Sequence, residues 1–246
     1  MNRIWVPTLL SVGNIICGFV AIIHQFQGNL EKTMWWTVAA VFFDAVDGVA
    51  ASRLNAKSEM GTLLDALSDI VSFALLPGFV LYQFFHTLPS PSHFTETAAW
   101  VAGIGYAVAG VFREVRFLSI PPEKQSRRGF TGLPIAPPAS LIIALITLNY
   151  LLPDLFPLSG FAFLIFGIAA LAAYLMTLSN IEYLRWRGWG MGLQALGALG
   201  FGIWGGLATG SIHGVGAAFF AVFSAIYYLG HLFYRAYQIV FNTTIL

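Results

Sequence analysis

Long apolar segments separated by short polar breaks dominate the pattern of this chain. A helix that crosses a bilayer needs about 20 mostly apolar residues, because lipid offers its backbone no hydrogen-bond partners. Eight segments meet this requirement: 4–26, 33–54, 60–86, 96–118, 131–152, 158–180, 190–209 and 213–238. The breaks between them are rich in Gly, Pro, Asn and Asp, which favour turns. The pattern predicts an all-α fold, a polytopic membrane helix bundle of about eight transmembrane helices.

The composition agrees with this prediction and excludes other classes. Hydrophobic residues make up 58% of the chain and charged residues 9%, whereas charged residues make up about a quarter of a soluble globular protein. A formal net charge of +1 gives no indication of nucleic-acid binding, so no nucleic-acid partner is expected. Because the connections are too short to hold a separate soluble unit, residues 1–246 are predicted to form a single membrane-embedded domain.

Basic residues indicate the orientation of the helices, since Lys and Arg concentrate on the cytoplasmic side of a membrane. If the N-terminus is cytoplasmic and eight helices alternate, Lys32 alone lies outside, which leaves eleven of the twelve Lys and Arg residues inside. We therefore expect both termini on the cytoplasmic side of a multi-pass protein of the cell's inner (cytoplasmic) membrane. The segment 44–69 should then open towards the cytoplasm.

Four aspartates interrupt the second and third apolar segments: Asp44, Asp47, Asp65 and Asp69. Carboxylates in a membrane segment are costly and usually functional. Spacings of three and four residues place each pair on one face of a helix. Two such helices packed side by side would bring four carboxylates to one spot, where they would repel unless cations were present.

The ligand chemistry narrows the choice of cation. Sites made only of carboxylate oxygens favour Mg²⁺, Mn²⁺ or Ca²⁺, and two such ions are a common device for phosphoryl transfer. Gly48 and Gly61 flank the aspartates and would let a ligand or helix approach closely. A proton or cation pathway in a transporter is the alternative, and it predicts carboxylates spread through both halves of the membrane.

The spaced motif resembles the signature of a known family. Asp44-x-x-Asp47-Gly48-x-x-Ala51, followed by Gly61-x-x-x-Asp65-x-x-x-Asp69, is similar to that of the CDP-alcohol phosphatidyltransferases. One slot differs, because Ser52 stands where the family has Arg, and Arg53 comes next. A shift of one residue turns a helical side chain by about 100°.

Three further stretches resemble the phosphatidylserine synthase branch of that family. They are Thr8-Leu9-Leu10-Ser11-Val12-Gly13-Asn14, Asp69-Ile70-Val71-Ser72-Phe73, and Arg113-Glu114-Val115-Arg116-Phe117. The resemblance implies transfer of a phosphatidyl group from CDP-diacylglycerol to L-serine, with release of CMP. It also implies a homodimer surrounded by membrane lipids.

By the same resemblance, the four aspartates form the metal site. Asp44, Asp47 and Asp65 would be the main ligands of two divalent cations, Mg²⁺ or Mn²⁺, with Ca²⁺ as a non-productive occupant. Asp69 would lie beside the metals, and it would act as the catalytic general base on the incoming hydroxyl. The motif positions expected to contact substrate are Gly48, Ala51, Ser52, Arg53, Gly61 and Ser72.

The acceptor pocket has weaker sequence signals. Arg113 or Arg116 could bind the carboxylate of serine through two hydrogen bonds, or could be an anchor at the cytoplasmic side. Asn14 could bind the substrate head, or could be a satisfied amide between helices. Other acceptors fit the same motif, namely glycerol 3-phosphate, inositol phosphate or choline, and so does an archaeal ether-lipid donor.

Overall fold

The computed structural model describes the chain except for residues 1–4, 57, 90–91, 121–128, 156–157, 179–181, 185–195, 201, 204–213 and 227–246. The described α-helices before residue 179 are α1 (Trp5–Phe26), α2 (Leu30–Arg53), α3 (Glu59–Asp69), α4 (Leu76–His86), α5 (His93–Ser119), α6 (Ala136–Leu151) and α7 (Leu158–Thr177). The described residues also form a π-helical segment (Ile70–Leu75), a 3₁₀ turn (Pro153–Leu155) and a strand pair, β1 (Gly129–Thr131) with β2 (Glu182–Leu184). The architecture is a helix bundle, and the strand pair is a small addition to the all-α prediction.

Six of the eight predicted segments form helices close to their predicted bounds. Among the described residues, five helices are long and apolar enough to cross a membrane: Trp5–Phe26, Leu30–Arg53, Glu59–His86, His93–Ser119 and Gly160–Thr177. The segments 190–209 and 213–238 lie largely outside the described residues, which show helix there over 196–200, 202–203 and Gly214–Ile226. The chain is therefore a polytopic membrane helix bundle, as its hydropathy predicts.

A connection of only five residues, 54–58, separates α2 from α3 and sets the depth of the aspartates. Asn55 adopts a left-handed conformation (φ 49°), which asparagine tolerates, and Ser58 caps α3 by accepting a hydrogen bond from the Gly61 N–H at 3.0 Å. Asp47 lies six residues before the end of α2 at Arg53, and Asp65 lies six residues after the start of α3 at Glu59. At 1.5 Å per residue, both are about 9 Å from the turn, which places them at the same depth.

The third membrane helix is interrupted immediately after Asp69. The six residues Ile70–Leu75 form a π-helical segment between α3 and α4, a local widening that is frequent at functional sites. It presents Ser72 to α1 at Gly18, where a Cβ atom would lie 2.9 Å from the Ser72 Cα atom. Glycine at position 18 is therefore required for this close approach.

The position of α1 corrects one expectation from the sequence. The aspartates were expected on two helices packed side by side, but α2 and α3 are not among the helix pairs in extensive contact. Instead, α1 packs along α2 and also contacts α3 and the π-helical segment. The carboxylates of α2 and α3 therefore meet across a gap that α1 supports from one side.

The segment before α6 also differs from its predicted helix over 131–152. Gly132 has a positive φ of 85°, which suits glycine, and it follows the strand pair. The residue before Pro134 is disfavoured in a helix, whereas prolines fit the first turn that begins at Ala136. These local constraints delay the start of α6.

Two glycines of α5 differ sharply in their surroundings and permit a stability prediction. A Cβ atom at Gly103 would lie 2.9 Å from the backbone oxygen of Gly78 on α4, whereas one at Gly105 would have no atom within 4 Å. Gly103→Ala should lower the free energy of unfolding by about 1–3 kcal/mol through overpacking. Gly105→Ala should raise it by up to about 1 kcal/mol through helix propensity. Unfolding of both variants in detergent measures the difference, and equal effects would contradict this packing.

Candidate active site

Three carboxylates meet at the gap between α2 and α3. Asp44, Asp47 and Asp65 each offer one oxygen, and these atoms lie within 4.8 Å of one another. Asp47 is buried and the other two are half-buried. Ligand oxygens that share one cation at 2.0–2.6 Å are at most about 4–5 Å apart, so the spacing fits a shared ion. An oxygen-only set suits a hard divalent cation.

Asp69 lies beside this triad and is not part of it. Its carboxylate interacts electrostatically with Asp44, Glu114 and Asp65, which places it close to the cluster. Its Oδ1 atom is buried and has no hydrogen-bond partner within the described residues. A buried carboxylate oxygen in that state is costly unless a proton, cation or ligand satisfies it. A direct metal contact by Asp69 stays a prediction.

Polar residues of α1 hold the aspartate helices together. The Ser11 hydroxyl donates to Asp47 Oδ2 at 2.8 Å. Asn14 Nδ2 donates to the Ser68 hydroxyl at 3.1 Å, and the Ser72 hydroxyl donates to Asn14 Oδ1 at 2.7 Å. Ser11 was missed by the sequence reasoning, although its position three residues before Asn14 puts the two on one helical face.

This hydrogen-bond network includes two residues for which substrate contacts were considered from the sequence, Asn14 and Ser72. Asn14 and Ser72 are both 0% exposed, and each is hydrogen-bonded to the other helix. The alternative of a satisfied interhelical amide therefore describes Asn14 in this structure. A substrate contact by Asn14 or Ser72 stays a prediction.

A buried ion pair adds a fifth carboxylate close to the aspartates. Arg113 and Glu114 are 7% and 2% exposed and form a salt bridge, and the Arg113 guanidinium lies 5.5 Å from the Phe117 ring centroid. Glu114 interacts electrostatically with Asp44 and with Asp69. The sequence reasoning missed Glu114, although a glutamate beside an arginine in a membrane segment is a recognisable signal.

Arg116, the second candidate for carboxylate binding, is engaged elsewhere. Its Nη1 atom donates to the backbone oxygen of Thr177 at 2.8 Å, at the end of α7. Its guanidinium also lies where a Cβ atom of residue 132 would be, so Gly132 makes room for it. In this structure Arg116 joins α5 to α7, and a role in substrate binding stays a prediction.

The remaining motif positions lie around the turn from α2 to α3. Gly48 is exposed and a Cβ atom there would meet nothing within 4 Å. Ala51 is half-buried, and both Ser52 and Arg53 are exposed in the last turn of α2. Gly61 lies in the first turn of α3 against the Ser58 cap. Their predicted contacts with substrate stay predictions.

Comparison with known proteins identifies the family. A family model described as CDP-alcohol phosphatidyltransferase matches residues 4–181, which is well over half of the chain and includes the whole acidic motif. The chain belongs to the CDP-alcohol phosphatidyltransferase family. This phosphatidyltransferase is thus a membrane-embedded transferase of phospholipid biosynthesis, and its acidic triad could bind a metal ion.

Individual relatives of this phosphatidyltransferase share one name, CDP-diacylglycerol–serine O-phosphatidyltransferase. The protein from Bacillus subtilis is 29% identical over 147 residues, 59% of this chain and 77% of its own. The protein from Methanocaldococcus jannaschii is 27% identical over 180 residues, 73% of this chain and 74% of its own. The protein from Mycobacterium leprae is 31% identical over 147 residues, 58% of this chain and 47% of its own.

Proposed function

We propose that this phosphatidyltransferase moves the phosphatidyl group of CDP-diacylglycerol to L-serine, forming phosphatidylserine and CMP. The observation that carries the proposal is the carboxylate triad with Asp69 beside it. In the reaction, the serine hydroxyl oxygen forms a bond to the phosphorus that carries the diacylglycerol. The bond from that phosphorus to CMP breaks, and CMP leaves with the electron pair. The names of the relatives support serine as the acceptor.

The triad residues are the proposed metal ligands. Asp44, Asp47 and Asp65 would hold one or two divalent cations, Mg²⁺ or Mn²⁺, and Ca²⁺ would occupy the site without supporting turnover. When bound, the cation neutralises negative charge on the donor pyrophosphate and on the departing CMP. Gly48 leaves the surface of α2 open beside Asp47, so the nucleotide can approach the ligands closely.

Asp69 is the proposed general base. A base must lie within hydrogen-bond reach of the proton that it removes, and the Oδ1 atom of Asp69 has no partner among the described residues. It would accept the proton of the serine hydroxyl as the new bond forms. This role requires Asp69 to lie next to the metal ligands without being one of them. Consistent with this, Asp69 is not among the three aspartates whose oxygens lie within 4.8 Å of one another.

The Arg113–Glu114 pair is the proposed contact for the charged groups of serine. The amino acid carries an ammonium and a carboxylate on the carbon next to its hydroxymethyl group, so both charges must lie close to Asp69 during attack. Arg113 matches the carboxylate, and Glu114, which interacts with Asp69 and Asp44, matches the ammonium. The two substrate charges would replace contacts that the side chains now make with each other.

The surroundings of the site are proposed from topology. Both termini and the site would face the cytoplasm at the inner (cytoplasmic) membrane of the cell, because eleven of the twelve basic residues then lie on that side. The acyl tails of the donor would lie in the bilayer. We also propose that residues 1–246 act as one domain and that the enzyme is a homodimer.

The positions of the acidic groups fit a transporter less well than they fit a phosphatidyltransferase. Asp44, Asp47, Asp65, Asp69 and Glu114 of the described helices form one electrostatically connected group. The other acidic residues of the described membrane helices, Glu31, Glu59 and Glu96, lie in first turns. A conduction path would need carboxylates at successive depths.

An acceptor panel tests the proposal. Purified protein in detergent is given CDP-diacylglycerol, Mn²⁺ and, separately, serine, glycerol 3-phosphate, inositol phosphate or choline. Of these four acceptors, only serine should give CMP and a new phospholipid. Release of CMP with another acceptor in place of serine would move the enzyme to a different branch, and absence of CMP with every alcohol would refute transferase activity under these conditions.

The same assay tests the ion pair. Glu114→Gln keeps the shape of the side chain and removes its charge, so the KM for serine should rise about tenfold or more, because a hydrogen bond to a charged group is lost. The KM for CDP-diacylglycerol should stay unchanged. Glu96→Gln, an exposed residue of the same helix, is the matched control and should behave as the wild type. An equal rise in both KM values would assign Glu114 a structural role.

A further inference from the structure

We infer that Ser11 is a positioning residue, whose hydroxyl group holds the Asp47 carboxylate in the orientation in which it binds a divalent cation. The inference rests on the proposed metal site and extends it to α1, a helix that carries no carboxylate. The contact joins α1 to α2, between two residues that are 36 positions apart in the chain.

The hydrogen bond is well defined. Ser11 Oγ lies 2.8 Å from Asp47 Oδ2 and 3.2 Å from the backbone oxygen of Pro7. A serine hydroxyl has one proton to donate, and the carboxylate is both the nearer and the charged acceptor, which makes the stronger bond. Ser11 and Asp47 are 3% and 4% exposed, so water does not compete freely for either group.

The packing of α1 on α2 explains why a short side chain can make this contact. Gly13 faces the Phe43 ring, and a Cβ atom at position 13 would lie 2.9 Å from the ring carbons. The two helices therefore approach closely one turn from Asp47, and a hydroxyl on a single methylene spans the remaining distance. A bond to one carboxylate oxygen also limits rotation of the group and so directs the other oxygen.

Hydrogen bonds to ligating carboxylates are a general requirement of metal sites. Such partners orient the ligand before the ion arrives, and their loss typically lowers metal affinity or activity by 10–100-fold. Asn14, another polar residue of α1 close to Ser11, bonds to Ser68 and Ser72. Ser11 differs from Asn14 in that its side chain contacts a member of the triad directly.

Ser140 offers a closely matched control. It is also a buried serine, 1% exposed, and its hydroxyl donates to the backbone oxygen four residues earlier, at 2.8 Å from Ala136. Ser11 Oγ likewise lies within hydrogen-bond distance of the backbone oxygen four residues earlier, that of Pro7, but it differs by its contact with Asp47. Ser11→Ala and Ser140→Ala therefore remove the same atoms from similar surroundings.

Mn²⁺ binding to the full chain in detergent, without substrate, tests the inference by electron paramagnetic resonance of the free ion. Ser11→Ala should weaken Mn²⁺ binding by about 10–100-fold, and Ser140→Ala should bind as the wild type does. Ser11→Thr keeps the hydroxyl and should restore most of the affinity. Without metal, the unfolding temperatures of the two alanine variants should fall by similar amounts. That result would show that Ser11→Ala loses metal binding for a reason other than a loss of fold.

Three outcomes would overturn the inference. The first is unchanged Mn²⁺ affinity in Ser11→Ala while the wild type binds the ion, which leaves the metal site intact and removes only the role of Ser11. The second is equal weakening in Ser11→Ala and Ser140→Ala, which indicates a general effect of helix packing. The third is absence of Mn²⁺ binding to the wild type, which would refute the proposed metal site as well.

Discussion

Asp65→Asn is expected to weaken metal binding severely and, with it, phosphatidyl transfer. Asp65 is the one member of the triad supplied by α3, whereas Asp44 and Asp47 both come from α2. Without it, the site would be confined to one helix and would lose a third of its negative charge. Because loss of a supporting group alone costs 10–100-fold, loss of a ligand should weaken Mn²⁺ binding by more than about 100-fold. Mn²⁺ titration and CMP release measure the two effects.

Stability provides the control for Asp65→Asn. The change removes one of several like charges that lie close together, so the metal-free variant should unfold at a temperature no lower than the wild type does. Asp154→Asn, at an exposed aspartate in the 3₁₀ turn, should leave metal binding, activity and unfolding unchanged. Retention of tight Mn²⁺ binding by Asp65→Asn would contradict its assignment as a ligand.

Asp69→Asn is expected to separate catalysis from metal binding. The residue lies outside the triad, and its unpartnered Oδ1 atom is the proposed proton acceptor. Asparagine cannot accept that proton as a carboxylate does, so turnover should fall by about 10²–10⁴-fold, the usual contribution of a general base. Mn²⁺ affinity should remain within a few fold of the wild type. Single-turnover CMP release with saturating serine isolates the chemical step.

Two other results for Asp69→Asn would change the role assigned to this residue. If Asp69→Asn lost Mn²⁺ binding as completely as Asp65→Asn, Asp69 would be a ligand, and the base would have to be sought elsewhere. If single-turnover CMP release were unaltered, the residue would have no part in proton removal. The two aspartate variants therefore distinguish a metal ligand from a general base, which the spacing of the aspartates in the sequence does not do.

The sequence predicted the bounds of the described helical segments well. The breaks that carry Asn29, Ser58 and Ser92 do begin helices, because each side chain caps the first turn. Only five residues, 54–58, separate α2 from α3, so Asp47 and Asp65 lie at similar distances from the connection. Long apolar runs and turn chemistry are local properties, which a single sequence displays directly.

The interactions between helices were less predictable. The π-helical segment Ile70–Leu75 has no sequence signal of its own, and it packs closely against α1 at Gly18. Glu114 was visible as a charge in a membrane segment, but its neighbours Asp44 and Asp69 are 70 and 45 residues away in the chain. Contacts over such separations depend on which helix faces which.

By itself, the sequence determined the class of the protein, the eight apolar segments and the acidic motif 44–69, because hydropathy and residue spacing depend only on the order of residues in the chain. The tertiary structure decided which carboxylates meet: Asp44, Asp47 and Asp65 converge, and Asp69 stands beside them. It also decided that α1, rather than direct contact of α2 with α3, supports the site. The physical reason is that rotation and spacing of helices follow from packing and interhelical hydrogen bonds, such as that of Ser11 with Asp47, which no local pattern specifies.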